Sequence, residues 1–353
     1  MTETGTTEAV AAGAAGASAP PLPRQTWNRH LVAIGVLLVV MAPLPLVLPP
    51  AQSAVAVRVL IFALMSIGWN IMSGFGGMFS FGHAAYFGLG AYVTAWLLVE
   101  HDISPWIGMA GGIVVAAAFA TLIGFLSLRY RLRGAYFALA TFAFAEMLRL
   151  WAINSDFVNR AEGYHVPLLP ESSWWYMQFE PASPNYFWIA LGLTVIAMVV
   201  SVLYLRSRPG QYTMAARDDE EAAAAVGIPV MRYKLFTMAL SAAVTSVAGA
   251  FYVQYFLFID PDLAFGSSVS IQAILPAVIG GVATIWGPVI GAAVMGPLND
   301  VTATILRNPP AFLDFLQGRG GLDVIVYGAL LIVIVLALPQ GIYGALRERW
   351  SRR

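Results

Sequence analysis

Apolar residues in this chain come in long blocks, near 31–48, 54–73, 83–99, 105–127, 134–153, 186–205, 235–258 and 323–339. Roughly 20 apolar residues of helix cross a bilayer core, so each block predicts one membrane-spanning helix. One further stretch, 267–299, is too long for a single comfortable span. It is cut by Pro276, by Gly280 and Gly281, and by Pro288. Either two short passes or a re-entrant hairpin turning at Gly280-Gly281 would accommodate it. Two passes predict an all-α polytopic membrane protein of about ten transmembrane segments.

Short loops rich in Arg and Lys mark the cytosolic side. Arg129, Arg131 and Arg133 share one connection, and Arg206, Arg208, Arg217, Arg232 and Lys234 share another. Arg347, Arg349, Arg352 and Arg353 close the chain. The 154–184 connection instead holds one arginine against Asp156, Glu162, Glu171 and Glu180, and its "SSWWYM" suits a membrane interface. These signs place 154–184 outside, the 206–234 loop and a basic 347–353 tail in the cytosol, and the permeating domain in 30–346. Only an even number of passes in 267–299 keeps the terminal arginines inside. Residues 1–29 begin with small residues and meet no positive charge before Arg24. That reads as a disordered cytosolic tail rather than a secretory signal.

Composition agrees and removes several function classes. Of 353 residues 59% are hydrophobic and 11% charged, with a mean hydropathy of +0.74, where soluble domains carry about 25% charged residues. The 19 basic and 19 acidic residues balance, which argues against a nucleic-acid partner. There is no cysteine, so disulfides and thiolate metal sites are excluded. His30, His83, His101 and His165 stand apart from one another, which offers no local metal spacing and no bound cofactor. A P-loop needs Gly-Lys-Ser/Thr, and the one lysine, Lys234, follows Tyr233. No nucleophile with a nearby base is evident, so an enzyme is not expected.

Two places carry candidate chemistry within the spans. The stretch 70–92 interrupts its helix with Gly74, Gly76, Gly77, Gly82, Gly88 and Gly90. Glycine-broken helices near the midplane commonly expose backbone dipoles to a transported solute, making Asn70, Ser73, Ser80, Gly82 and His83 candidates for a translocation pathway. Close helix packing is the alternative, and for Gly108/Gly112 and Gly287/Gly291, at GxxxG spacing, it is the better reading. Glu146 and Arg149 stand three apart on one helix face. Glu146 lies about 18 Å past the cytosolic end, where an unpaired carboxylate costs a few kcal/mol. The two form either a structural ion pair or a polar group in the pathway.

The cytosolic loop holds "RDDEEAAAAVGIP", residues 217–229. Acids followed by alanines favour a short helix, with Gly227 and then Pro229 ending it. An outward alanine face of Ala222, Ala223 and Ala225 would suit a groove on a cytosolic partner.

The spacing Glu221-Ala222-Ala223 followed by Gly227 resembles the coupling loop of bacterial ABC importer permeases. "GGMFSFGHAAYFGLGAY", "RLRGAYFALATFAFAEMLRL", the region from Asp219 to Tyr252, "GGVATIWGPVIGAAV" and "LPQGIYG" are similar, in this order, to the branched-chain amino-acid permease family. The stretch "RLRGAYFALAT" looks like its M-type subunit. The resemblance implies a coupling helix at Glu220, Glu221, Ala222, Ala223 and Gly227. It also implies a second related permease, two cytosolic ATPases holding ATP and Mg, a periplasmic solute-binding protein, and an inner-membrane location. Branched-chain or other hydrophobic amino acids are the implied solute. Ala135, Met78, Phe79 and the Trp-rich outer segment depart from the family pattern. They leave urea, amides or another small organic solute as alternatives, with a proton-coupled secondary transporter through Glu146 as a further one.

Overall fold

The computed structural model describes residues 24–180, 183–307, 328 and 341–345. The chain enters as α1 (Arg24–Met41), makes a short helical turn at Leu44–Val47, and continues as α2 (Pro50–Trp69) with a π-helical extension over Asn70–Phe75. Then follow α3 (His83–His101), α4 (Pro105–Arg129) and α5 (Ala135–Asn154). The connection after α5 contains β1 (Tyr164–His165), and α6 (Asn185–Arg206) leads into two short helices, α7 (Arg208–Asp218) and α8 (Glu220–Ala225). The long α9 (Val230–Phe256) is followed by β2 (Phe258–Ile259), α10 (Pro261–Phe265), α11 (Ser267–Gly280) and α12 (Gly287–Arg307). Apart from the two-residue antiparallel pairing of β1 with β2 and an isolated bridge between Ser173 and Gln178, the regular structure described is helical.

Small residues set how the bundle closes. Helices α3, α4 and α9 pack on one another at its centre, α4 running antiparallel to α3. A Cβ on Gly90 would strike the Ser246 carbonyl, one on Gly249 the Phe87 carbonyl, and one on Gly112 would sit 3.0 Å from the Gly90 Cα. Without a hydrophobic drive between helices in lipid, such backbone approach supplies the contact. The two GxxxG pairs are packing devices, as expected: Gly108 abuts Thr94, and Gly291 abuts Pro276. The second face of α2 packs against α6, α11 and α12. Of the Asn28–Val47 span only 6% is buried, so α1 is a peripheral helix leaning on α6.

Seven helices among the described residues are long and apolar enough to cross a bilayer. The 83–99 block forms α3, which is not among those seven but is buried between α4 and α9. The 267–299 stretch becomes two antiparallel arms, α11 and α12, packed side by side. The expected span at 323–339, but for residue 328, and the tail at 347–353 lie outside the described residues, as do residues 1–23. One boundary moves: α1 already begins at Arg24, where a disordered tail was expected to run to residue 29. After Pro23 no proline or glycine interrupts the chain before Gly35, so helix propagates from that point.

Candidate functional site

The break after α2 runs from the middle of α9, where Gly68 and His83 meet Ser241, toward α7, where Gly77 lies against Arg217. It is the connection from α2 to α3, and its freed backbone groups are met by the chain itself. Asn70 donates to the Thr284 carbonyl at 2.9 Å and accepts from the Ala283 N–H at 2.8 Å. Ser73 Oγ donates to the Met78 carbonyl at 3.1 Å and accepts from the Ser80 N–H at 3.3 Å. Ser80 Oγ accepts from the Gly82 N–H at 3.0 Å, and Trp69 Nε1 donates to the Ser80 carbonyl at 2.9 Å. Gly82 is pressed against the Thr141 backbone, with no room for a Cβ.

His83 is fully buried. Ser241 Oγ donates its proton to the Gly68 carbonyl at 2.6 Å, so it must accept from His83 Nε2–H at 3.0 Å. The imidazole is therefore the Nε2–H tautomer, and Nδ1 meets no partner. The serines, Gly82 and His83 are buried and their hydrogen bonds and contacts tie the broken segment to its neighbours.

The broken segment turns two aromatic rings outward instead. Phe79 and Phe81 alternate with buried Ser80 and are 41% and 38% exposed, their centroids 5.3 Å apart. Phe81 is pinned by both backbone groups: its N–H reaches Thr141 Oγ1 at 3.3 Å, and its carbonyl accepts from Ser270 Oγ. It therefore sits between α5 and α11. Next along α5 come exposed Phe142 and then Glu146 and Arg149. Arg149 Nε donates to Glu146 at 3.0 Å, and Nη1 reaches Asp262 of α10 at 2.7 Å. The pair anticipated on one helix is thus a triad between two elements. Phe142, the triad, Gly266, Ser267 and Ser268 line an open depression of about 550 Å³. Asp262, Phe81 and Phe142 were not singled out from sequence. The period of two in Phe79-Ser80-Phe81, and an acid inside the apolar 257–280 stretch, are the signals that mark them.

The loop helices form a compact unit. Asp219 breaks 217–229 into two helices and caps α8, accepting from the Glu221 and Ala222 N–H groups at 3.0 and 2.9 Å. Gly227, at φ +87°, closes it: its N–H donates to the Ala224 carbonyl at 3.0 Å, and the Ile228 N–H to Ala223 at 3.1 Å. The expected alanine face needs one correction. Ala223 is 5% exposed and packs with Ala216, Ile228 and Val230, because α8 must bury one face against α7 and the start of α9. The outward surface belongs to Glu221, Ala222, Ala224, Ala225 and Val226. Glu220 faces the bundle, 2.8 Å from Lys234 and 3.6 Å from Arg133.

A family model described as the permease component of the branched-chain amino acid transport system matches residues 52–335. The high-affinity branched-chain amino acid transport system permease protein LivM of Salmonella typhimurium is 24% identical over 346 residues, 92% of this chain and 77% of that protein. LivH of Escherichia coli is 26% identical over 296 residues, covering 80% of this chain and 91% of that protein. The L-arabinose ABC transporter permease protein AraH of Azospirillum brasilense is 28% identical over 237 residues, 65% of each chain. The motif order, the apolar helices and these matches agree: the chain belongs to the branched-chain amino acid transport system permease components, multi-pass membrane subunits that are not themselves enzymes.

Proposed function

We propose that this permease subunit serves an ATP-driven importer for branched-chain or other hydrophobic amino acids and forms half of the translocation pathway. A second related permease supplies the other half. Two ATPases dock at the α7–α8 end, which lies in the cytosol, and hold the ATP and Mg. A solute-binding protein delivers cargo to the 154–184 side. The supporting observation is the strip from Phe79 and Phe81 through Phe142 to the Glu146–Arg149–Asp262 triad. In the isolated chain the triad's side chains are 34%, 23% and 76% exposed, in that order. Charges turned toward hydrocarbon cost a few kcal/mol each, so this face fits a protein partner and a wet path better than lipid. Its aromatic rings would contact an aliphatic side chain, and its mixed charges suit an ammonium and a carboxylate together.

The test is uptake by the assembled complex in proteoliposomes. Leucine uptake should need ATP hydrolysis, continue without a proton gradient, and fall at least tenfold in Phe142→Ala. Glu146→Gln should leave the response to external pH unchanged. Uptake of urea in preference to leucine would overturn the solute assignment, and uptake driven by a proton gradient without ATP would overturn the energy source.

A further inference from the structure

Among the described residues, one side-chain hydrogen bond joins the loop helices to the broken segment. Arg217, the penultimate residue of α7, is part-exposed and donates from Nη1 to the Gly74 carbonyl at 3.3 Å. Gly74 belongs to the π-helical turn, a feature found often at functional sites in helices. The rest of the guanidinium is held by Asp218, with Nε at 3.0 Å and Nη2 at 2.9 Å from one carboxylate oxygen. The aliphatic stem of Arg217 lies on Gly77, where a Cβ would run into its Cγ. Gly77 has φ +67°, so both conformation and space call for glycine there.

What stands on either side of this joint gives it meaning. Asp219, two residues after Arg217, caps α8, whose outer surface is the exposed Ala222, Ala224, Ala225 and Val226. Two residues after Gly77 comes Phe79, the first ring of the exposed strip. Around the joint the packing is open: a cavity of about 180 Å³ is bordered by Gly76, Phe79, Phe137, Arg217 and Glu220. Helix α7 packs on α9 and both touch the π-helical turn, and Arg217 adds the direct polar tie between α7 and that turn.

We propose that Arg217 is a positioning residue for transport: it holds the Gly74–Gly77 turn to the loop helices, so that movement of α8 shifts Phe79 and Phe81. This rests on the reading of α8 as the ATPase contact. The joint differs from that contact, because Arg217 bonds to Gly74 of the bundle and leaves the outer face of α8 untouched. A merely packing role would lower stability and yield without altering the coupling of hydrolysis to uptake.

The test measures ATP hydrolysed per leucine imported, by the complex containing Arg217→Leu, Arg217→Gln, Arg217→Lys or Gly77→Ala. ATPase co-purification should match wild type in all four. Arg217→Leu and Gly77→Ala should raise the ATP-to-leucine ratio at least tenfold. Arg217→Lys, which can still donate to the Gly74 carbonyl, should recover part of the coupling. A wild-type ratio in Arg217→Leu overturns the proposal, and so does loss of ATPase binding in that variant, which would make Arg217 a docking residue. If Arg217→Leu does not accumulate, a wild-type ratio in Arg217→Gln overturns it equally. Failure of the wild-type chain to bind any ATPase sinks the underlying reading instead, so the two failures are distinguishable.

Discussion

Asn70 and Thr284, 214 residues apart, are joined by a 2.9 Å hydrogen bond from the Asn70 carboxamide to the Thr284 carbonyl. The same side chain accepts from the neighbouring Ala283 N–H at 2.8 Å, so one amide clasps the turn between α11 and α12 against the break in α2. Asn70 is 2% exposed. Asn70→Ala leaves a donor and an acceptor without partners, at roughly 1–3 kcal/mol for each buried group. Thermal unfolding of the purified protein in detergent should show a clear loss of stability. Asn70→Asp should do no better, since it turns a second acceptor toward the Thr284 carbonyl. Wild-type stability in both variants would refute the clasp.

Gly249 lies where α9 touches the Phe87 backbone of α3. Gly249→Ala inserts a methyl where backbone already stands, and overpacking of this kind costs about 1–3 kcal/mol. Gly192→Ala is the internal control, because a Cβ there meets nothing within 4 Å. Yield of folded protein from the membrane should drop for Gly249→Ala and hold for Gly192→Ala. Equal yields would contradict the close-approach account of the central helices.

At the loop, the outward residues separate docking from folding. Ala225→Glu changes only exposed surface, so it should weaken ATPase co-purification and leave membrane expression unchanged. In Gly227→Val the Cβ meets no atoms within 4 Å but the residue must adopt φ +87°, a left-handed strain of roughly 1–2 kcal/mol for an L residue. It should shift the end of α8 and weaken the same association. Ala223→Glu should instead damage the loop's own packing, because that position is buried. If Ala225→Glu retains full ATPase recovery, α8 is a connector.

The absence of native cysteine makes sidedness directly measurable. A cysteine at Ser172 should react with a membrane-impermeant maleimide added to intact cells, and one at Ala225 should react only after permeabilisation. Both positions are exposed in the structure. Reaction of Ala225→Cys in intact cells would reverse the orientation inferred from arginine placement.

Much of this protein can be read along one dimension. Lipid demands blocks of apolar residues long enough to span it, and the blocks at 54–73, 105–127, 134–153, 186–205 and 235–258 became α2, α4, α5, α6 and α9. The glycine pairs marked real close contacts, because only small residues let helix backbones touch. Gly227 stopped its helix, since few other residues accept a positive φ. These outcomes depend on local chemistry and on a uniform solvent, and both are visible in residue order.

The site was another matter. Asn70, Ser73, Ser80 and His83 are polar residues in an apolar setting, but polarity alone does not show whether a group faces a pathway or satisfies freed backbone. The hydrogen bonds to Thr284, Met78 and Ser241 became visible only in the folded chain. Glu146 and Arg149 could be paired from their spacing, whereas Asp262 joined them only when α10 came to rest beside α5. Ala223 turned inward because α8, lying on α7 and α9, had to bury one face, and a six-residue helix carries too little pattern to say which. The contact of Arg217 with Gly74 spans 143 residues. Such relations arise from which surfaces meet, a choice settled by packing and backbone satisfaction summed over the whole bundle, and no local segment encodes it.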